Sequence, residues 1–418
     1  MLSHLRDNLN FKKFKLFEIL IFIFPAALIS GPLIPEIIVF IFSVFILIKL
    51  ISEKKFHILK NKVILMYLFF LLTICLASFI SDHFLSSSRS SFLHLRFALF
   101  TLAIIYIIEA ADKNFYNFFL YSILITLFFL ISFAFIQFFF YETSFLNIQS
   151  IDSKRMSSFF GDEKILGGYL LRLLPLILYL IFKINLDKKL GALILIFILL
   201  GIIISGERTS VILSIIMLSL LFFINFDIKK KIAFLTILTF FVLLFFFFNE
   251  NLYERLILET YNDIFNTSNK ISSFNIFSTG HTYYYITSLK MFFDNPILGI
   301  GPNLFRLLCS NPEYGLGINI DNCSTHPHNY YLQLLAETGI LGFIFLISLF
   351  TWISINIFKH VFKIKLIETY KYCLLISVFI NIFPISSHGN FFNNWNSMII
   401  FFSLPFLLKE FNLISFKK

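Results

Sequence analysis

Charge is scarce in this chain. Only 14% of its 418 residues are Asp, Glu, Lys or Arg, against about a quarter in an ordinary soluble domain. That excludes a soluble enzyme, a disordered chain and a nucleic-acid-binding module. The net charge of +10 does not point to DNA, because the basic residues sit in short segments between apolar runs. Cysteine is scarce too: there are 4, with no CxxC and no zinc spacing. Metal and nucleotide signatures are missing. There is no DxD, no HExxH and no Walker sequence, and Gly299-Ile300-Gly301-Pro302-Asn303 is too short for a nucleotide loop. Asp and Glu total 24 and rarely cluster, so no metal–nucleotide-sugar site and no cofactor is expected. The ten-residue alternation of a membrane β-barrel is also lacking, since the apolar runs are continuous.

What the chain does have is apolar length. Hydrophobic residues make up 58%, Phe alone fills 61 positions, and the mean hydropathy is +0.86. The expected fold class is an all-α polytopic membrane protein. A bilayer core needs roughly 20 mostly apolar residues per helix. Twelve stretches qualify, near 16–30, 33–51, 63–80, 92–108, 118–140, 165–184, 190–205, 209–225, 232–248, 332–358, 372–386 and 394–408. The first lacks a small-residue cleavage site and reads as a retained helix. With the N-terminus inside, 23 of the 34 Lys and Arg fall on the inner side, as cytoplasmic loops require. All but one of these are Lys, and orientation accounts for them. The outer set is mostly Arg: Arg89, Arg96, Arg155, Arg172, Arg208, Arg255 and Arg306, with Lys154, Lys164, Lys270 and Lys290. Arginines against the topological rule need another reason, and Arg grips phosphate or carboxylate bidentately.

The chain therefore divides into residues 1–248, an N-terminal bundle of about nine helices; 249–331, a large outer loop; and 332–418, the C-terminal helices. In the loop, Ile286, Leu289, Met291, Phe292 and Phe293 predict a short amphipathic helix, stopped by Asp294-Asn295-Pro296. A second outer loop, 141–164, carries Asp152, Lys154, Arg155, Asp162, Glu163 and Lys164. Cys309 and Cys323 share the large loop, and an oxidising compartment would favour a disulfide between them. Cys75 and Cys373 read as packing residues.

Three constellations stand out. Thr325-His326-Pro327-His328-Asn329-Tyr330-Tyr331-Leu332-Gln333, followed by Glu337, Gly339 and Gly342, marks the re-entry of the large loop into a helix. Its histidines read either as a general base or as a helix cap and a backbone partner. Ser205-Gly206-Glu207-Arg208-Thr209-Ser210 is a tight turn that places Arg208 at a helix entrance. There it reads either as an anion grip shared with helix amides or as an interfacial snorkelling side chain. Arg172, inside the apolar run 170–174, is costly in a membrane and should face a cavity or a partner.

These pieces in this order resemble the O-antigen ligase/polymerase family of bacterial envelope glycan enzymes. The matching segments are FFGDEKILGGYL at Phe159–Leu170, SGERTS at Ser205–Ser210, GHTYYYITSLKMFFDNPILGIGPNLF at Gly280–Phe305 and HPHNYYLQLLAETGILG at His326–Gly342. The resemblance implies a GT-C-like glycosyltransferase of the inner membrane, with about twelve transmembrane helices and one large periplasmic loop. Its donor would be an undecaprenyl diphosphate-linked glycan. Its acceptor would be lipid A–core for a ligase, or another glycan for a polymerase, and its remaining partners are membrane lipids. By position it implies His328 as the essential histidine and Arg208 as the arginine after the small turn; the residues themselves add His326, Asn329 and Arg306 as supporting candidates. Arg208, Arg155, Arg172 and His281 would hold the diphosphate. The family often has Arg at position 281 and Trp at position 285, where this chain has His281 and Tyr285; Arg306 and His326 are candidates to compensate. A transporter, the reading from another class, would show paired broken helices or an inverted repeat, and neither is evident.

Overall fold

The computed structural model describes residues 2–112, 114–140, 154–223, 228–265, 279–315 and 322–416; the side chains of residues 2–14 and 279 are not described. Lys113, Asp152, Lys270, Lys417 and Lys418 therefore lie outside the described residues, as do the side chains of Arg6, Lys12 and Lys13.

Among the described residues the fold is helical and contains no strand. In chain order the helices are α1 (Leu2–Ile29), α2 (Leu33–Ser52), α3 (Lys62–Ile80), α4 (Phe84–Leu93), α5 (Leu95–Ala110), α6 (Phe115–Phe140), α7 (Leu166–Lys183), α8 (Lys188–Ile204) and α9 (Arg208–Leu221). They continue as α10 (Ile228–Phe248), α11 (Glu250–Tyr253), α12 (Glu259–Phe265), α13 (Thr279–Asp294), α14 (Phe305–Leu308), α15 (Tyr330–Val361), α16 (Thr369–Asn381) and α17 (Asn394–Glu410). Each apolar stretch expected to be helical contains helix, but the one expected over 372–386 ends at Asn381, and residues 224–225 of the one expected over 209–225 lie outside the described residues. Seven segments among the described residues are long and apolar enough to cross a membrane: α2, α3, α4 continuing into α5, α6, α7, α10 and α15. Helix α9 is apolar but shorter.

The chain forms two compact units. The first comprises residues 1–38, 107–261 and 357–381. Helix α7 is its centre, flanked by α6, α8, α9 and α16. From Leu166 to Ile181 every residue of α7 is buried except Arg172. A helix hydrophobic all round belongs at a core; the one partly exposed position in that stretch is its one charge. Helix α1 docks on α6, where Phe22 meets the rings of Phe115 and Phe119.

The second unit comprises residues 39–106, 262–356 and 382–418. Its core includes the rings of Tyr67, Phe70, His94, Phe391 and Phe401, with Phe70 stacked on Phe345 at 4.4 Å. Two parts of this unit correct the sequence reading. Helix α13 ends at Asp294 as expected, but it buries Tyr285, Thr287, Ser288 and Met291, while Leu289 and Phe293 are exposed. The polar pair is buried because Asn322 Nδ2 donates to Thr287 Oγ1 at 2.9 Å and ties in the carbonyls of Cys309 and Tyr314. Helix α15 is also not one rod. It breaks at Gly339, which has φ 61°. The loop 296–301 crosses this break. Ile300 N and Gly301 N donate to the carbonyls of Ala336 and Glu337, and Ile340 N donates to Pro296 O. The crossing is so close that a Cβ on Gly339 or Gly299 would collide with backbone.

Candidate active site

The expected site residues fall in two neighbourhoods, one in each unit. In the first unit, the Ser205–Ser210 turn packs against the start of α7. The Glu207 carboxylate accepts Gly167 N–H at 2.7 Å and Gly168 N–H at 3.1 Å, and Ser210 Oγ donates to it at 3.1 Å. These two amides have no partner within α7, and an anion is favoured at a helix N-terminus. Two glycines allow the approach: a Cβ on Gly167 would meet Ser205 and Glu207, and one on Gly168 would lie 2.8 Å from an Arg172 guanidinium nitrogen and 3.4 Å from Glu207 Oε2. Arg172 thus reaches back one turn toward the N-terminus of its helix, the direction in which helical side chains lean. Arg155 lies over the same turn, its Cγ against Gly206, and donates from Nη2 to Lys164 O at 2.7 Å. Burial pushes the Glu207 carboxyl above the usual carboxylate range, and Arg155 and the three hydrogen bonds only partly offset this.

Arg155 and Arg172 therefore gather at Glu207, and Arg208, its neighbour in sequence, opens α9. Lys154 is occupied otherwise, bridging Glu254 at 2.9 Å and Glu259 at 3.0 Å. Arg255 also pairs with Glu259. Asp162 and Glu163 are exposed.

In the second unit, His328 stands at the entrance of α15 with φ 60°. Asn329 caps that helix: its Oδ1 accepts Tyr331 N–H at 2.9 Å and Leu332 N–H at 3.2 Å, and its Nδ2 donates to Pro384 O at 2.7 Å. His388 N–H donates to His328 O at 2.8 Å, which fixes the left-handed turn from the other side. Three imidazoles collect there. The ring of His328 lies 4.1 Å from His326 and 4.9 Å from His281, with Tyr284 at 5.8 Å. His326 Nε2 meets His388 O at 3.2 Å, and Ser324 Oγ is 3.4 Å from His328 Nε2. Burial, then the neighbouring His326 and His281, pushes His328 down to about 3. Burial also pushes His326 down to about 4, with Arg306 and His281 adding to it against the hydrogen bond to His388. Arg306 is exposed. Cys309 and Cys323 are joined in a disulfide, with Cα atoms 5.0 Å apart, and Cys309 Sγ contacts the carbonyl of Ser324 at 3.7 Å. The disulfide anchors the segment that leads into the histidines.

Sequence reasoning gave no role to the residues that hold this geometry. Glu337 accepts the N–H groups of Asn303 and Phe305, both at 2.9 Å, and a hydrogen bond from Gln333 Nε2 at 3.0 Å. Gln333 also donates to Asn390, which reaches Asn303 at 2.8 Å. Glu207 and Glu337 each lie inside a quoted motif, but the backbone amides they accept from are more than 30 positions away.

Residues 193–347 match the family model described as Wzy_C, O-Antigen ligase. That segment is somewhat more than a third of the chain. It includes the SGERTS turn, the Gly280–Phe305 stretch and the His326–Gly342 stretch; Arg155 and Arg172 precede it. No curated protein matches the chain. Three of the four matching segments thus fall within the part of the chain that is similar to the O-antigen ligase family, and Phe159–Leu170 precedes it.

Proposed function

We propose that this protein is a multi-pass glycosyltransferase of the bacterial inner membrane. It moves a glycan from undecaprenyl diphosphate to a hydroxyl of lipid A–core, with about twelve crossings and the 249–331 segment in the periplasm. The observation that carries the reading is the cluster of His281, His326 and His328 at the entrance of α15, inside the segment that is similar to the O-antigen ligase family. One neighbourhood presents guanidinium groups, the other a neutral imidazole held in a fixed turn.

The chemistry follows. The acceptor oxygen attacks the anomeric carbon, the carbon–oxygen bond to the diphosphate breaks, and its electron pair leaves with the diphosphate. Arg155, Arg172 and Arg208 stabilise the charge that develops there. His328 takes the hydroxyl proton; an imidazole pushed well below neutrality is unprotonated and able to accept. Direct displacement inverts the anomeric carbon. His281, His326 and Arg306 line the side of the base, and Asn329 fixes the helix entrance.

A lipopolysaccharide gel of a deletion strain tests the reading. A ligase predicts uncapped core with lipid-linked polymer accumulating. Core bearing a single repeat unit would assign the chain as a polymerase instead, and an unchanged ladder would contradict both.

A further inference from the structure

Glu207 has no part in the chemistry above, yet it sits in the middle of the cationic cluster. A carboxylate beside a diphosphate site opposes the ligand unless it is neutralised. We infer that Glu207 is the resident counter-anion of the arginine cluster, and that a diphosphate donor binds there with uptake of one proton by Glu207. The inference rests on the diphosphate reading of the cluster and adds to it a linked proton.

Its basis is geometric. Glu207 is anchored by Gly167 N–H, Gly168 N–H and Ser210 Oγ at the start of α7. Arg155 faces it from the preceding loop and Arg172 from α7; Arg208 adjoins it in sequence at the start of α9, and Lys154 and Lys164 lie on the loop of Arg155. Lys154 is engaged by Glu254 and Glu259. In the resting protein the carboxylate offsets guanidinium groups that otherwise repel one another. An arriving diphosphate takes over that role and places negative charge next to Glu207. Like charge disfavours the ionised form, and burial has already raised its affinity for a proton. The sign follows from linkage. A group whose pKa is higher in the complex than in the free protein takes up a proton on binding, so affinity is greatest at low pH and falls as pH rises.

The test uses the purified full chain in detergent and farnesyl diphosphoryl-N-acetylglucosamine as the probe. This diphosphate diester takes up protons only in strong acid, so it does not titrate in the working range. Calorimetry in buffers of different ionisation heat counts the protons taken up on binding. The wild type should take up about one and weaken as pH rises above the ordinary carboxylate range, by up to roughly tenfold per pH unit. Glu207→Gln, which keeps the shape without titrating, should bind with that uptake and that slope removed. Glu207→Asp should retain them, which excludes a merely structural effect. Wild-type binding with the same proton count as Glu207→Gln would overturn the inference and leave the diphosphate reading standing. No wild-type binding at all would overturn both.

Discussion

His328 is an imidazole surrounded by groups that do not want it charged. Its neighbours are the rings of His326 and His281, and its surroundings are partly dry, so it is held down to about 3. An ordinary histidine titrates near 6.5. Because the depressed value belongs to the free protein, it appears in kcat/KM. The acid limb of kcat/KM for glycan transfer should therefore fall well below the ordinary imidazole range, with no loss between about pH 7 and 5. A limb near 6.5 would mean that the base is solvated and that this description of its surroundings is wrong. The importance of His328 could be read from HPHN, since a histidine at a helix entrance beside a polar loop is visible in one dimension. Its electrostatics could not, because His281 is 47 positions upstream and nothing local brings it near. Glu207 and Glu337 were illegible for the same reason: what fixes each carboxylate is a pair of backbone amides from a distant segment.

At the scale of elements, the helices were legible because continuous apolar runs of bilayer length leave few alternatives. The inward face of α13 was not. Its buried Thr287 and Ser288 satisfy their hydroxyls on Asn322 and on backbone carbonyls, so polarity did not mark the solvent side. The break in α15 was hidden too, since Gly339 lies in a run that is apolar on its far side. The break has a testable energetic signature. A Cβ on Gly339 or Gly299 adds left-handed strain and also collides with the crossing backbone. Gly31 has φ 97° as well, but open space around it. In detergent, Gly339→Ala and Gly299→Ala should each lose about 2–4 kcal/mol. Gly31→Ala should lose about 1–2 kcal/mol, from strain alone. Equal thermal shifts for all three would contradict the close crossing.

At the scale of the whole molecule, each unit is assembled from three separated stretches of chain, and each carries a different part of the proposed chemistry. The guanidinium groups belong to the first unit, the imidazoles to the second. The expected division of cations along the sequence, most lysines on the inner side and most arginines on the outer, is the global feature that composition and spacing suggest, and it is what first singled out the arginines. The central claim is that glycan leaves its diphosphate carrier with His328 taking the acceptor proton. The most direct test is transfer by the purified protein in lipid vesicles, from a polyprenyl diphosphoryl glycan to lipid A–core, with released polyprenyl diphosphate measured alongside. His328→Asn is the informative variant, because Asn tolerates the left-handed backbone but cannot act as the base. The account predicts one polyprenyl diphosphate released per glycan transferred by the wild type. It also predicts a loss of at least about 100-fold in the variant, with its thermal stability retained. Transfer by the variant within a few-fold of wild type, or transfer without release of the carrier, would contradict it.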